Sequence, residues 1–499
     1  MSNTRETTTV EMEWHKVNWK AVNRAIFRLQ KRIYKASHNG DTKAVKKLQK
    51  LLVKSKSARL LAVRRVTQDN TGKKTPGIDG VGELAPLQRL ELAQNLKLNG
   101  KAKPVRRMEI PKSGRKKRKR LGMPIRLDRA RQALAKLALE PEWEAKFEAN
   151  SFGFRPGRST KDAIREIYSD INKASYYVLD AHIEKCFGGI HHRKLLDKLN
   201  TYPGMRRQVK AWLKSGFIEE DIFYWTESRT PQGYLIYPLL VNIALHGMQE
   251  ALHEEFYRKY TTKAIAAKYS IRPGILFHPP LFHRYRFDLV LFHKSRKVIE
   301  ESQVVINDWL RSMGLQLKDS KTKLAHTLGD GKVQTGFDYL GFNVRQYPVK
   351  DINCATEKQG KKLGFKTLIK PSKEAIKRHT RVLKQTIRLY RNASQEKLIE
   401  ILTPKIRAWS NYYDSVVSSR VFGKLDNILF YQLLRWGYYC APMQGKKQVV
   451  EKHWGVDKGK GWKFMTSKGK QLRWHKDTPI KRLVRLQGNK SPYDGDWAY

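Results

Sequence analysis

The stretch 284–292, RYRFDLVLF, constrains this chain more than any other of its length. Leu281 and Phe282 precede it, and Leu289, Val290, Leu291 and Phe292 close it, so apolar runs flank a polar tip. Runs of this kind form buried strands, and a tight polar connection between two of them makes a hairpin. Asp288 stands at the tip. A carboxylate there can hold a divalent metal for phosphoryl or nucleotidyl transfer when a second carboxylate lies beside it. The neighbour is Phe287, which ligates nothing, so Asp288 can equally be an ordinary turn residue. The rest of the chain has to decide between the two.

Charge is the second constraint. Lys and Arg number 100 against 46 Asp and Glu, a formal excess of +54 in 499 residues. Such an excess repels itself and calls for a polyanionic partner, nucleic acid first. A membrane surface is the alternative, but no apolar run approaches the roughly 20 residues that span a bilayer, and no membrane partner is expected. With 40% hydrophobic and 10% aromatic residues, the chain reads as a folded protein, not as a basic disordered tail. Cys186, Cys354 and Cys440 lie too far apart for a disulfide framework or a zinc pattern, which fits a reducing compartment. The first ten residues hold no export core, and Glu6 and Glu11 speak against an import peptide. If the protein works in an organelle, it is expected to be made there.

Residues 14–66 read as basic helices, with Val22, Ile26, Leu29, Ile33 and then Val45, Leu48, Leu52 at helical spacing and a break at Gly40-Asp41. A turn at 75–80 and a helix near 84–98 follow, then a short strand at 106–110. Residues 112–120, KSGRKKRKR, carry seven basic residues in nine. Between a strand and Leu121-Gly122-Met123-Pro124, that loop is expected to grip phosphates, although such runs are often only solvated. The pattern predicts an amphipathic helix over 128–140 carrying Arg129 and Gln132. It predicts a helix capped by Ser159 or Thr160, a strand over 176–181, and helices from His192, over 239–251 and over 297–313. A strand-like element at 337–342 precedes a polar linker near 351–362. Helices then run to about 440, studded with Trp409, Tyr412, Tyr413, Tyr431, Trp436 and Tyr438 among Arg and Lys. Each ring alone is a candidate core residue; basic and aromatic together, the module looks RNA-binding. Residues 446–499 are expected to form a small basic appendage.

Eleven motifs stand in one order: TPGIDG (75–80), IPK (110–112), LGMP with DR and Q (121–132), SFGFRPGRST (151–160), VLDAHIEKCF (178–187), TPQG (230–233), RYRFD (284–288), LKDSKTK (317–323), FDYLGF (337–342), LIKPS (368–372) and LTPKIRAWSNYY (402–413). In this order the chain resembles the proteins encoded within group II introns, a reverse transcriptase fused to a maturase domain, and within them the chloroplast-like branch. The resemblance implies an α+β fold, a right-hand polymerase with fingers and palm followed by an α-helical thumb and maturase domain. The divisions it implies are a basic N-terminal extension over 1–70, fingers and palm over 71–350, thumb and maturase over 351–445, and the appendage over 446–499. After Lys446 no paired Cys-x-x-Cys with a His cluster appears, so the endonuclease domain of some relatives is not expected.

The departures from that family bear on chemistry. His182 stands where the family carries a catalytic Asp, Gly188 where it carries a second, and Tyr285-Arg286-Phe287-Asp288 where it has Tyr-Ala-Asp-Asp. Two-metal polymerisation needs carboxylates on both strands to hold ions roughly 3.5–4 Å apart. Only Asp288 is left, imidazole is a poor Mg²⁺ ligand, and Asp180, two residues from His182, is displaced by roughly 6.6 Å. Tyr234 and Tyr237, where the family has Gly and Ser, are expected to crowd the nucleotide pocket. No intact catalytic or metal site is therefore expected; His182, Phe287 and Asp288 are vestigial positions. The expected function is binding of group II intron RNA to assist splicing, with weak DNA binding at most and with Mg²⁺ belonging to the RNA. The expected contacts are Lys112, Arg115, Lys116, Lys117, Arg118, Arg155, Arg158, Arg407, Trp409, Asn411, Tyr412 and Tyr413. The competing readings are an active reverse transcriptase that binds two Mg²⁺, with Asp180 as a substitute, and a general RNA chaperone. A chloroplast is the expected location and a bacterial cytoplasm the alternative; the sequence leaves dimerisation open.

Overall fold

The computed structural model describes residues 13–70, 72–111, 118–184, 189–219, 222–224, 233–260, 278–349, 362–457, 461–481, 488 and 490–495. Lys112, Arg115, Lys116, Lys117, Cys186, Gly188, most of the turn at 230–233 and nearly all of the expected linker lie outside them, as does the side chain of Arg118.

The N-terminal region holds the helices α1 (Trp19–His38), α2 (Thr42–Lys54) and α3 (Lys56–Arg64). Asn18, Asp41 and Ser55 cap them, each side chain accepting a bond from the backbone N–H three residues on. The break at Gly40-Asp41 is present, and Ser55 adds one the periodicity missed. Next come α4 (Pro86–Asn95), β1 (Val105–Pro111) and β2 (Arg118–Met123), with β1 and β2 antiparallel.

The central element is α5 (Arg126–Glu144), which is buried on nearly every side. This corrects the amphipathic expectation: α1, α2 and α3 cover the face that composition assigned to solvent. Burial leaves polar groups to satisfy. Pro141 has no N–H, so the carbonyl of Leu137 lacks its helical donor, and Gln30 Nε2 from α1 donates to it at 2.9 Å. From α2, Gln49 Nε2 donates to Glu142 at 2.6 Å. The Arg129 guanidinium donates to the carbonyls of Pro124 at 2.7 Å, Gly72 at 3.2 Å and Thr75 at 2.8 Å. Arg126 donates to the carbonyls of Val66, Lys73 and Gly82. The two arginines thus hold the loop containing TPGIDG. Burial lowers the Arg129 pKa to about 10, which leaves it a cation at neutral pH.

After α6 (Thr160–Ile171), capped by Ser159, β3 (Tyr177–Glu184) forms the middle of the main sheet. Then follow α7 (His192–Leu199), α8 (Pro203–Leu213), β4 (Phe217–Glu219), β5 (Ile222–Tyr224), α9 (Tyr237–Leu245) and α10 (Met248–Tyr260). Gly247 separates α9 from α10 where the sequence predicted one helix. The hairpin is β6 (Leu281–Tyr285) and β7 (Asp288–His293), followed by α11 (Arg296–Ser312), β8 (Gln316–Leu317), β9 (Lys323–His326) and β10 (Gln334–Thr335). The main sheet runs β10-β9-β3-β7-β6, with β8 also paired to β3. A smaller sheet runs β2-β1-β4-β5.

A third sheet, β11 (Phe337–Tyr339), β12 (Phe342–Pro348) and β13 (Phe365–Pro371), leads into α12 (Lys373–Leu389), α13 (Gln395–Tyr413) and α14 (Ser419–Cys440). Beyond them, α15 (Lys446–His453), β14 (Trp454–Asp457) and β15 (Gly461–Phe464) place Val449, Trp454 and Phe464 in one core with Leu398, Leu402 and Leu429. That core therefore runs across the division expected at 445. Further on, Tyr493 lies against Phe27 and Tyr34 of α1, and its hydroxyl reaches Glu140 at 3.3 Å.

The SFGF segment approaches the hairpin so closely that a Cβ on Gly153 would lie 2.4 Å from Arg286 N. Gly153→Ala is expected to destabilise the chain by roughly 1–3 kcal/mol, as overpacking does. Denaturant unfolding of both proteins checks this, and an unchanged midpoint refutes it.

Candidate functional site

The hairpin turns through two residues, Arg286 and Phe287, with Tyr285 and Asp288 paired across its end. Arg286 adopts a left-handed φ of 60°. Arg284, 1% exposed, holds the turn in place. Its guanidinium donates to Asn242 Oδ1 of α9 at 3.1 Å, to Ser151 Oγ at 2.6 Å and to the Arg286 carbonyl at 3.2 Å. Asn242 Nδ2 in turn donates to the Gly153 carbonyl at 2.8 Å. One buried cation thereby joins hairpin, helix and the FRPGR segment.

The β3–β7 register sets His182 opposite Asp288. His182 Nδ1 and Asp288 Oδ1 lie 2.6 Å apart, with side chains 27% and 45% exposed. Phe287 turns onto Phe154, ring centroids 5.9 Å apart and nearly perpendicular, and its carbonyl accepts from Ile183 N at 2.7 Å. Asp180 and His182 share a face of β3, as period two requires. Asp180 carries a pKa raised to about 7, first by burial and then by repulsion from Asp288, against the pull of Lys323. A pair of Mg²⁺ ions does not fit these donors. The imidazole and the one tip carboxylate bond to each other, an aromatic ring fills the adjacent position, and no group of three candidate ligands gathers among the described residues.

Tyr234 and Tyr237 do not crowd a pocket. Both are buried in the main core, with the Tyr234 hydroxyl on Ser215 Oγ, because the chain around them packs inward at the start of α9. Arg155 is also removed from the expected RNA contacts. It is 7% exposed and grips Glu144 through both oxygens, at 3.0–3.1 Å. Arg158 donates to the carbonyls of Ala149, Gly488 and Lys490, so it ties the C-terminal segment to the FRPGR loop.

The maturase motif divides in two. Arg407 and Asn411, four apart on α13, are exposed as a polar pair should be. The three aromatics face inward, which corrects their assignment to RNA. Trp409 stacks on His379 at 4.7 Å, and His379 bonds His475 at 2.8 Å. Tyr412 stacks on Phe342 at 5.2 Å and donates to the Leu340 carbonyl. Tyr413, 4% exposed, donates to the Gly341 carbonyl at 3.0 Å. The β11–β12 turn needs these donors, and the sequence held no signal that the maturase helix would supply them.

Sequence reasoning also missed a mainly basic groove of about 770 Å³ between α1 and the C-terminal segment, with Lys31, Arg32, Lys35 and His38 on one wall and Lys490 and Asp494 on the other. Tyr493, packed on Phe27 and Tyr34 of α1, brings the second wall to the first. Spacing gave the first wall; nothing gave the second.

A sheet centred on β3 and a pinned hairpin, followed by a helical domain, defines a reverse-transcriptase fold with a maturase domain. Comparison with known families agrees: the N-terminal domain of reverse transcriptase matches residues 14–96, reverse transcriptase (RNA-dependent DNA polymerase) 110–344, and the group II intron maturase-specific domain 376–454. Protein YkfC of Escherichia coli is 32% identical over 310 residues, 56% of this chain and 79% of its own length. The group II intron-encoded protein LtrA of Lactococcus lactis is 37% identical over 150 residues, 30% of this chain and 25% of its own. Maturase-like protein 1 of Euglena gracilis is 32% identical over 242 residues, 46% of this chain and 51% of its own. The chain belongs to the group II intron-encoded reverse transcriptase and maturase family. It spans a quarter of LtrA and about half of the Euglena protein.

The Asp180 carboxyl has a folded pKa above the ordinary value of roughly 4. Its contribution to stability is therefore full below about pH 4 and lost as pH rises through about 7. Asp180→Asn, which mimics the protonated acid, is expected to raise Tm at pH 8 and to leave it unchanged near pH 4. Melting curves across that range test the sign; equal curves at pH 8 refute it. Tyr413→Ala is expected to destabilise by roughly 3–5 kcal/mol, as loss of a buried aromatic does. Circular dichroism melts check that figure.

Proposed function

We propose that this chain is a group II intron maturase that binds intron RNA and assists its splicing without polymerising DNA. The observation that carries the reading is the His182–Asp288 bond at the hairpin tip, with Phe287 packed beside it, where two-metal chemistry needs free carboxylates. The RNA then performs the reaction with its own Mg²⁺, and the protein supplies cations and shape. Its excess of +54 serves that role, since phosphate contacts dominate affinity for nucleic acid. Arg407 and Asn411 are the proposed RNA contacts, a reading supported by their exposure on a helix whose tyrosines are fixed to the β11–β12 turn. Weak DNA binding follows from the same charge. Among the described residues no helix is long and apolar enough to cross a membrane. A chloroplast is the proposed setting and a bacterial cytoplasm the alternative, and locating the reading frame tests it.

The purified chain is expected to accelerate splicing of a group II intron RNA and to give no primer extension on an RNA template with Mg²⁺ or Mn²⁺. Arg407→Ala with Asn411→Ala is expected to slow assisted splicing while leaving Tm within about 1 °C, because exposed substitutions change stability little. Robust extension abolished by Asp180→Ala or Asp288→Ala would falsify the proposal in favour of an active polymerase. Equal acceleration of unrelated structured RNAs would assign the chain to general RNA chaperones.

A further inference from the structure

Between α12 and α14 lies a second cleft, of about 280 Å³, away from the hairpin and the maturase motif. Its walls are two helical stripes. Lys384 and Arg388 stand four apart on α12, with Arg391 just beyond its end. Gln432, Arg435 and Tyr439 face them from α14 at spacings of three and four. Ile387 and Trp436, both nearly buried, make an apolar floor. No carboxylate lines the cleft.

Three features point to a ligand. Lys384, Arg388 and Arg435 are exposed, form no ion pair among the described residues, and converge on one cleft that no carboxylate lines. Like charges converging without a counterion favour an anion between them. Tyr439 is 49% exposed yet held in place: its hydroxyl donates to Asn392 Oδ1 at 2.9 Å, and the Arg391 guanidinium lies 5.0 Å from its ring centroid. Trp436 fixes Arg391 in turn, donating from Nε1 to its carbonyl at 2.9 Å. The Gln432 Oε1 atom is buried and accepts no hydrogen bond, which a buried acceptor tolerates poorly. Anion site, positioned ring and unsatisfied acceptor together describe a nucleotide. The phosphate takes the cations, the base takes the ring, and a base N–H or a ribose hydroxyl takes the amide.

We propose that this cleft binds one unstacked nucleotide of single-stranded RNA. Its phosphate is held by Arg388, Arg435 and Lys384, and its base stacks on Tyr439 with Gln432 at its edge. The volume lies at the low end for small-ligand sites, about 300 Å³, so a duplex is excluded from it. The inference rests on the reading of the chain as an RNA-binding protein and adds where a flexible intron loop or junction is gripped.

The test uses the full chain and a fluorescein-labelled ten-nucleotide single-stranded RNA. Tyr439→Ala is expected to weaken binding about 5- to 100-fold with the salt slope unchanged, the scale of one base stacked on an aromatic, and Tyr439→Phe to retain it. Arg388→Gln with Arg435→Gln is expected to flatten the slope of log affinity against log salt by about 0.7 per cation removed. Ultraviolet cross-linking of bound RNA is expected to label the peptide containing Tyr439. Wild-type affinity in Tyr439→Ala, or cross-links only elsewhere, overturns the site. Displacement of the RNA by polyglutamate with loss of the Tyr439 cross-link, at concentrations where RNA does not displace the polyglutamate, overturns it in favour of an acidic protein segment. The function proposed above fails separately, when intron RNA gains no splicing from a protein whose single-strand binding still depends on Tyr439.

Discussion

The structure depends on satisfying one helix buried on nearly every side. The segment Arg126–Glu144 carries arginines, acids and an internal proline into the core. Each polar group there would be unfavourable unless bonded. The solution determines the surroundings. Two arginines draw in the loop 72–82, Gln30 covers the carbonyl that Pro141 orphans, and Gln49 meets Glu142. The N-terminal helices are therefore held by hydrogen bonds as well as by apolar contact. The C-terminal segment joins them through Tyr493 and Glu140. Chain ends far apart in sequence meet on this helix, and the large basic groove is a product of that meeting.

The hairpin shows the same logic applied to a functional position. Arg284 ties the turn to α9 and to Ser151 and bonds the Arg286 carbonyl within the turn itself. The hairpin brings an imidazole to a carboxylate and an aromatic ring to another ring. The nearby Asp180, half-buried on the same strand face as His182, has its pKa raised to about 7 by burial and by repulsion from Asp288. The hairpin frame and the donors it carries are separable properties of the sequence, because backbone pairing sets the first and single side chains set the second.

Charge and aromaticity, which composition lumps together, are sorted by the fold. In the maturase helix the cation and the amide are exposed, while Tyr412 and Tyr413 anchor the helix on the β11–β12 turn and Trp409 stacks on His379 of α12. In the cleft between α12 and α14 the order is different: Trp436 forms the floor and Tyr439, one turn on, is presented. Burial of aromatic area stabilises a fold and exposure of it serves recognition, and only the packing partner determines which occurs. Arg155 and Arg158 are parallel cases among the cations, held by Glu144 and by backbone carbonyls.

The sequence by itself determined the family, most of the helices, the hairpin with Asp288 at its end, the shared face of Asp180 and His182, and the outward pair Arg407 and Asn411. These follow from local rules, from strand and helix periods and from motif order, which are written residue by residue. Tertiary structure alone decided that His182 bonds Asp288, that α5 is enclosed, that Tyr234 and Tyr237 turn into the core, and that three maturase aromatics serve the fold. It also decided that residues beyond 445 complete a core and a groove. Each of these depends on a partner tens to hundreds of residues away, such as Gln30 with Leu137 or Arg158 with Gly488. No periodicity reaches that far. A side chain's local pattern states which way it leans, and the distant segment that packs against it decides whether it meets solvent, protein or ligand.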